Sequence, residues 1–297
     1  MNKIFKKLAL TVIIALGLGS VFTGCGANED DSKINEQATP KPAAENVEDL
    51  DEEPKLSGHI SIVGSTSVQP LAQLLADAFT DIETEVVIDV QGVGSSAGIK
   101  AANDESADIG MASRELKEEE KEWGITEIPI AVDGIAVILN PNNSVTELSL
   151  EQITQIYKGE ITNWKDVGGE DKEIIVVSRE DGSGTRGAYD EIIGIKGELV
   201  EDALIQDGNG PVRAKVMTTE EAIGYISLGY VDDSVKVLKV DGFEPSEEKI
   251  KSGDYPVSRR LLMLTKGEVA PEVQAYLDFI FSREGNEIVS KDYIPMD

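Results

Sequence analysis

One short segment, residues 178–187, most constrains the fold of this chain, because it must turn sharply from a strand into a helix. Its sequence is Ser-Arg-Glu-Asp-Gly-Ser-Gly-Thr-Arg-Gly, and the β-branched run at 174–177 predicts a buried strand before it. Tyr189, Ile192 and Ile193 then recur on one helical face. Glycines let a backbone approach a ligand closely, and a helix start carries unpaired N–H groups and a partial positive charge. The segment therefore predicts a cradle for an oxyanion.

Two earlier segments have the same design, a predicted strand followed by a loop of glycine and hydroxyl residues. Residues 60–63 lead into Gly-Ser-Thr-Ser at 64–67, and residues 86–90 lead into Gly-Val-Gly-Ser-Ser-Ala-Gly at 92–98. In an open α/β sheet the carboxyl ends of the strands share one edge, where ligands bind. We therefore expect the three loops to form one site.

Strand-like runs alternate with helix-like runs after the N-terminal region, which predicts an α/β fold. Ser149 with Gln152, and Thr218 with Glu221, match the capping box that begins a helix, and Pro271 predicts the start of the last long helix. The predicted strands are residues 60–63, 86–90, 108–112, 128–132, 134–139, 174–177 and 259–264.

Two strand-like stretches contain a polar break in an otherwise apolar run. They are residues 131–135, which include Asp133 followed by Gly134, and residues 257–261, which include two arginines. Both are predicted to be crossovers between two lobes, with the middle lobe inserted into the outer one. Two crossovers form a hinge, and a hinged cleft suits a ligand that must be enclosed and released.

The N-terminus has the pattern of a secretory signal. Three lysines precede an uncharged apolar run at 8–22, too short to span a membrane comfortably, and the only cysteine, Cys25, follows closely. The pattern resembles a bacterial lipoprotein signal, so residues 1–24 are predicted to be a signal peptide and Cys25 to carry lipid such as palmitate. Residues 25–56, acidic and poor in aromatics, are predicted to be a disordered tether. We expect an extracytoplasmic protein anchored to the cell membrane, with an ordinary signal peptide as the alternative.

Charge and motifs exclude several classes of function. The net charge of −29 argues against a nucleic-acid partner and means that an anion site must depend on local donors. No zinc, dinucleotide, P-loop or EF-hand motif occurs, so neither a metal nor a cofactor is expected. Residues 94–98 match the G-x-S-x-G elbow of serine hydrolases, but the one histidine, His59, precedes them, whereas histidine comes last in that family. Binding is therefore predicted rather than catalysis.

The three loops, in this order, resemble those of the PstS family, the phosphate-binding subunits of bacterial phosphate ABC importers. That family has a Gly-x-Thr-type loop, a Gly-x-Gly-Ser-Ser loop and an Arg-x-Asp-Gly-Ser-Gly-Thr loop, and residues 156–169 are similar to its inter-loop segment. The resemblance covers roughly residues 57–297. It implies a two-lobed periplasmic-binding-protein fold of type II, with two crossover strands and a ligand cleft between the lobes. Lobe I would be residues 57–132 plus 259–297, and lobe II residues 133–258.

The resemblance implies a function and a set of ligand residues. The chain would capture inorganic phosphate as a monomer and deliver it to an ABC permease complex of two membrane subunits and an ATPase. Arg179 would pair with the anion, and Asp181 would orient Arg179 by a charge-assisted bond, unless Asp181 is a plain turn residue or helix cap. The residues expected to bind phosphate are Ser65, Thr66, Ser67, Ser95, Ser96, Arg114, Asp133, Arg179, Ser183, Gly184 and Thr185.

The chain departs from the family pattern at Arg114, where many members have an aspartate. That aspartate accepts the proton of the bound phosphate and so rejects fully ionised sulfate, whereas an arginine can only donate. We expect Asp133 to be the replacement acceptor, with Glu115 as the second choice. A turn role for Asp133, and a surface ion pair between Arg114 and the acidic run at 118–120, are the alternatives.

Three other functions stay open at this point. The missing aspartate permits a binder of sulfate, molybdate or tungstate. A phosphate-ester hydrolase would use Ser96 or Ser183 as its nucleophile. A surface adhesin or sensor is also compatible, because a fold does not fix a function.

Overall fold

The computed structural model of the protein describes residues 55–296. The predicted signal peptide (1–24), the predicted lipidation site Cys25 and nearly all of the predicted tether lie outside the described residues. Among residues 55–296, no helix is both long and apolar enough to cross a membrane.

Strands and helices alternate along the described chain, as the sequence predicts. The strands are β1 (Ser57–Gly64), β2 (Glu85–Gly92), β3 (Ile109–Ala112), β4 (Ile125–Leu139), β5 (Glu147–Leu148), β6 (Ile175–Arg179), β7 (Leu204–Gln206), β8 (Ala222–Ser227), β9 (Lys236–Val237), β10 (Lys239–Val240), β11 (Ser258–Lys266) and β12 (Ile294–Pro295). The α-helices are α1 (Gln69–Ile82), α2 (Ser95–Asn103), α3 (Glu118–Lys121), α4 (Leu150–Tyr157), α5 (Gly184–Ile192), α6 (Asn209–Thr218), α7 (Glu247–Ser252), α8 (Pro271–Ile280) and α9 (Arg283–Val289). Short 3-10 helices occupy Trp164–Val167 and Leu228–Tyr230.

Ten of these strands form one long mixed sheet in the order β2-β1-β3-β11-β4-β8-β6-β7, with β9 and β12 also paired to β4, and β5 pairs with β10 in a separate two-stranded sheet. β1 is parallel to β2 and β3, and β6 is parallel to β7 and β8. β4 is antiparallel to both of its long neighbours, and it pairs with β11 through residues 125–134 and with β8 through residues 135–139. β4 is therefore the strand that both parts of the sheet share.

The molecule has two lobes, as predicted, one on each side of β4. Lobe I contains β1, β2, β3 and β11, and lobe II contains β6, β7 and β8. In lobe I, α1 and α8 pack on one face of the sheet and α2 on the other. In lobe II, α4 and α5 pack on one face and α6 on the other. Each half-sheet is thus covered by helices on both faces, as expected for largely parallel strands rich in Val and Ile.

The two polar breaks that the sequence predicts to be crossovers lie side by side. The strands predicted on either side of Asp133 are one continuous strand, β4, because Asp133 and Gly134 pair in register with Arg259 and Ser258 of β11. β4 continues directly into lobe II, and the chain returns to lobe I through Ser258. The polar residues do not interrupt the strand, since they pair with one another.

One of the two predicted capping boxes is confirmed and the other is wrong. Ser149 Oγ accepts from Gln152 N at 3.1 Å, and Gln152 Oε1 accepts from Ser149 N at 2.9 Å, at the start of α4. Thr218 instead ends α6, and the apolar run after it is β8, whose residues are all buried between β4 and β6. A short, mostly apolar run that is buried along its whole length suits a central strand better than an amphipathic helix. Pro271 begins α8, as predicted.

Candidate functional site

Four strand-to-helix loops meet at one place between the lobes, and the sequence predicts three of them. Ser67 follows β1, Thr185 lies in the first turn of α5, and Asn209 begins α6 after β7. Ser67 Oγ lies 2.8 Å from Thr185 Oγ1 and accepts from Asn209 Nδ2 at 3.0 Å. Helix N-termini carry partial positive charge, so their convergence creates a favourable environment for an anion.

A second group of hydroxyls joins the first and second predicted loops. Ser65 Oγ donates to Ser113 Oγ at 2.9 Å, and Ser113 N donates to Ser95 Oγ at 3.0 Å. Gly184 of α5 packs directly against this group, because a Cβ atom on it would lie 2.7 Å from Ser113 Oγ and even nearer to Ser95 Oγ. The close approach of the two lobes here requires a residue without a side chain. The three serines are buried.

Arg179 lies at the end of β6 and is only 1% exposed. Its Nε and Nη2 atoms each donate to the Glu180 carboxylate at 2.8 Å, and Nη2 also donates to Thr66 Oγ1 at 3.2 Å. Burial by itself would raise the pKa of Glu180, but the hydrogen bonds and the charge of Arg179 hold that pKa below its usual value. Arg179 Nη1 is buried and has no hydrogen-bond partner among the described residues. The guanidinium is therefore fixed in place and retains donor capacity.

The expectation that Asp181 orients Arg179 is wrong. The Asp181 side chain is 98% exposed and accepts from Arg186 Nη1 at 2.8 Å. The chain turns towards solvent at Asp181, which leaves Glu180 beside the guanidinium. Ser183 caps α5, since its Oγ accepts from Arg186 N at 3.2 Å. An acidic partner for Arg179 was predicted, but that partner is Glu180 and not Asp181.

Asp133 lies within the same hydrogen-bond network and is 2% exposed. Its Oδ2 accepts from Arg259 Nη2 at 2.9 Å, and its Oδ1 accepts from Leu228 N at 3.3 Å. Arg259 Nη2 also donates to Ser67 Oγ at 3.0 Å. Burial raises the pKa of Asp133, and the charge of Arg259 offsets this only in part. The pair of Asp133 and Arg259, on the two crossover strands, is thus connected directly to Ser67 of the first loop.

Arg114 lies at the edge of this network, bound to the acidic run as one of the alternatives predicts, although the pair is buried. Its Nη1 and Nη2 donate to the Glu120 carboxylate at 2.7 and 2.9 Å. Nη1 also donates to Glu115 O at 2.9 Å, and Nη2 to Ser96 Oγ at 3.1 Å. Burial would raise the pKa of Glu120, but hydrogen bonds from Arg114 and from the Lys117 backbone lower it. Each terminal nitrogen of Arg114 thus donates both of its hydrogens within the protein.

Neither Glu115, the second-choice acceptor, nor the residues of the hydrolase alternative have the contacts that those roles would need. The Glu115 carboxylate pairs with Arg260, and both side chains are about half exposed. His59 of β1 and Asp89 of β2 have exposed side chains, and His59 Nε2 lies 2.8 Å from the Asp89 carboxylate. Ser96 contacts Arg114, and Ser183 contacts the α5 backbone. Within residues 55–296 no group of acidic, histidine or cysteine side chains could hold a metal ion.

Sequence reasoning missed several residues of the network. Ser113, Asn209 and Arg259 bond to the predicted residues, and Tyr230 Oη donates to Thr66 O at 2.8 Å. Asn209 had a usable signal, because Gly-Asn-Gly between a strand and a helix repeats the design of the other loops. Arg259 lies in the polar break of β11. Tyr230 follows β8 in a 3-10 helix and carries no comparable pattern.

Comparisons with known proteins assign the family. Residues 50–284 match the family model of the PBP superfamily domain. The phosphate-binding protein PstS of Bacillus subtilis is 30% identical over 98% of this chain and 94% of its own length. This chain belongs to the PstS family. The PstS of Borreliella burgdorferi is 31% identical over 78% of this chain and 88% of its own length. PstS proteins are substrate-binding proteins of transporters and not enzymes, which confirms the prediction of binding without catalysis.

Solved structures agree with this family and with its fold. A Clostridium perfringens protein described as a phosphate ABC transporter substrate-binding protein, solved with bound phosphate, is 49% identical with a TM-score of 0.80. The match covers 81% of this chain and all (100%) of that one. An ABC-type phosphate transport receptor from Vibrio cholerae is 37% identical with a TM-score of 0.69, over 80% of this chain and 100% of that one. The PstS family thus accounts for the two-lobed architecture around β4.

Proposed function

We propose that this chain captures inorganic phosphate outside the cytoplasm and delivers it to the permease of a phosphate ABC transporter. The observation that carries the proposal is the buried network in which Ser67 of lobe I meets Thr185 and Asn209 of lobe II. Such a network presents hydroxyl, amide and guanidinium donors with little exposed charge, as recognition of a dehydrated anion requires. The PstS relatives and the phosphate-bound structure from C. perfringens support phosphate as the ligand.

The proposed ligand set comes from both lobes. Arg179 supplies a guanidinium N–H, and the helix starts supply hydroxyl and backbone N–H donors. Arg114 would act through Ser96, because its guanidinium donates to Ser96 Oγ and leaves the hydroxyl hydrogen of Ser96 free to bond the anion. The hydroxyl and backbone donors in the proposal are those of Ser65, Thr66, Ser67, Ser95, Ser96, Ser183, Gly184 and Thr185.

Asp133 is the proposed acceptor for the proton of bound phosphate. It accepts two hydrogen bonds, from Arg259 and from Leu228 N, and an ionised carboxylate has about four acceptor positions. A buried site built around one donor–acceptor contact discriminates by roughly 10⁴–10⁵ against an analogue that lacks it. Sulfate has no proton to donate, so Asp133 would exclude it.

The proposal includes a domain organisation and a location. Lobe I would be residues 57–132 plus 259–297, and lobe II residues 133–258. The change of β4 partners from β11 to β8, between Gly134 and Ile135, lies two residues beyond this boundary and supports a division there. The lobes would close on phosphate as a single monomer. Lipid on Cys25 would anchor the protein to the outer face of the cell membrane, with residues 25–56 as a tether beside the permease.

Titration calorimetry of protein freed of bound ligand, with phosphate and then sulfate, tests the proposal. We expect tight phosphate binding and no heat with sulfate, molybdate or tungstate. Preference for another oxyanion would replace the ligand in the proposal, and no binding at all would favour an adhesin or sensor. Asp133→Asn should lose most of the preference for phosphate over sulfate, whereas Asp278→Asn on the exposed face of α8 should keep it. An Asp133→Asn protein with the wild-type margin would remove Asp133 from the acceptor role.

A further inference from the structure

We propose that Arg259, held by Asp133, is a second guanidinium ligand of the bound anion and acts together with Arg179. The family resemblance singles out Arg114 and Arg179, and it does not point to β11. The inference rests on the proposed function, because the anion that it names is phosphate.

The two guanidinium groups are anchored on adjacent residues of the first loop. Arg179 Nη2 donates to Thr66 Oγ1 at 3.2 Å, and Arg259 Nη2 donates to Ser67 Oγ at 3.0 Å. The amide of Asn209 contacts both anchors, at 3.4 Å from Thr66 Oγ1 and 3.0 Å from Ser67 Oγ. The charge of Arg179 also contributes, after burial and against the opposing effect of Asp133, to a lowered pKa of Arg259. The two cations therefore lie within electrostatic range of each other at one site.

Both arginines have donors that the protein does not use. Arg259 Nε and Nη1, and Arg179 Nη1, are buried and have no hydrogen-bond partner among the described residues. Each guanidinium is held at another position by a carboxylate, Asp133 for Arg259 and Glu180 for Arg179. Unpaired buried donors on charged groups are costly and are rare in native proteins, so a fixed guanidinium with spare N–H groups favours an anionic partner.

Arg114 does not fill this role in the structure, because its terminal nitrogens donate to Glu120, to Glu115 O and to Ser96 Oγ. Arg259, by contrast, gives one hydrogen bond to a carboxylate and one to a hydroxyl. Asp133 is then a positioning residue for Arg259, in addition to its proposed role as proton acceptor. A guanidinium that is fixed before binding gives its ligand more affinity than a flexible one.

Phosphate titrations of Arg259→Ala and of a matched control, Arg260→Ala, test the inference. Arg260 is the next residue of β11, but it pairs with Glu115 at the surface. Loss of one partner of a buried, hydrogen-bonded charge contact costs about 2–5 kcal/mol, so Arg259→Ala should weaken phosphate binding by at least about 30-fold. Arg260→Ala should bind phosphate as the wild-type protein does.

Chemical rescue separates a ligand contact from a structural role. Added guanidinium ion, at concentrations that leave the melting temperature unchanged, should restore part of the phosphate affinity of Arg259→Ala and should not change that of Arg260→Ala. If Arg259→Ala fails to fold, Arg259→Lys replaces it, and we expect at least about tenfold weaker binding because an ammonium cannot reproduce the guanidinium fork. Wild-type affinity in whichever of these variants folds would overturn the inference. Absence of phosphate binding by the wild-type protein would instead refute the proposed function.

Discussion

At the scale of single residues, Gly184 determines how closely the two lobes approach. It is the first residue of α5, and it packs on the hydroxyls of Ser95 and Ser113 from lobe I with no space for a side chain. Glycine is used here for close approach, and not for an unusual backbone conformation. Any larger residue would separate the two groups of donors that the proposed ligand needs together.

Gly184→Ala should therefore weaken phosphate binding by about fivefold or more, since an overpacked buried contact typically costs about 1–3 kcal/mol. The matched control is Gly210→Ala in the first turn of α6, where an added Cβ meets no atom within 4 Å. Calorimetric titration of both variants checks this expectation. Equal affinities in the two variants would show that the lobes tolerate a methyl group between them.

The sequence predicted the types of residue in the site better than their partners. Gly, Ser and Thr after apolar runs were sufficient to predict the loops around Ser67 and Thr185, because these signals are local. The pairing of Asp133 with Arg259, across 126 positions of sequence, depends on strand register and has no local signal. Glu180 and Asp181 differ only in the direction in which the turn points them, and the tertiary structure decides that direction.

At the scale of secondary-structure elements, α5 serves the site with its first turn and buries an acidic residue in its last. Asp190 Oδ2 lies 3.4 Å from Arg186 Nε, and Asp190 Oδ1 is buried without a partner among the described residues. Burial raises the pKa of Asp190 to about 6, although Arg186 opposes the shift. The folded state thus binds this proton more tightly than the unfolded state, so stability falls as the pH rises from about 4 to about 6.

Asp190→Asn should raise the free energy of unfolding above pH 6, by on the order of 1 kcal/mol after allowance for partial solvent screening. The gain should shrink towards pH 4, where the wild-type carboxyl is protonated in the folded state. Urea unfolding at several pH values measures this, with Asp278→Asn on the exposed face of α8 as the control. A gain that does not change with pH would assign the stabilisation to packing and not to charge.

Elements were predicted well wherever one period of apolar residues dominated. In α4 the helical spacing of the apolar residues agreed with the capping box. Thr218 and Glu221 match the same capping pattern, but a strand follows them and not a helix. The continuity of β4 through Asp133 was not predictable from its own residues, because the neighbouring strand β11 supplies the partner for the polar position.

At the scale of the whole molecule, the net charge of −29 disfavours the approach of phosphate. Binding must therefore depend on local hydrogen-bond donors, and delivery benefits from a fixed location. A strongly acidic protein repels phosphate over long distances, although salt screens this beyond roughly 10 Å. The buried network compensates only at close range. Retention beside the permease, by the proposed anchor at Cys25, would limit the distance over which bound phosphate must travel.

Cys25→Ser should abolish incorporation of labelled palmitate and release the protein from the membrane fraction of the producing cells. Phosphate affinity should not change, because Cys25 precedes the folded lobes in the sequence. Fractionation and palmitate labelling of both proteins test the anchor separately from the binding site. Membrane retention of the unlabelled variant would indicate that the apolar run at 8–22 is not removed.

Asp133 and Arg259 are cross-strand partners at the place where both connections pass between the lobes. The axis about which the lobes would rotate is therefore built from residues that also face the proposed cargo. A change that tightens the grip on phosphate at this position would also alter the rate at which the lobes separate. Capture and release are thus not independently adjustable here, and a phosphate biosensor derived from this chain should carry its reporter groups elsewhere.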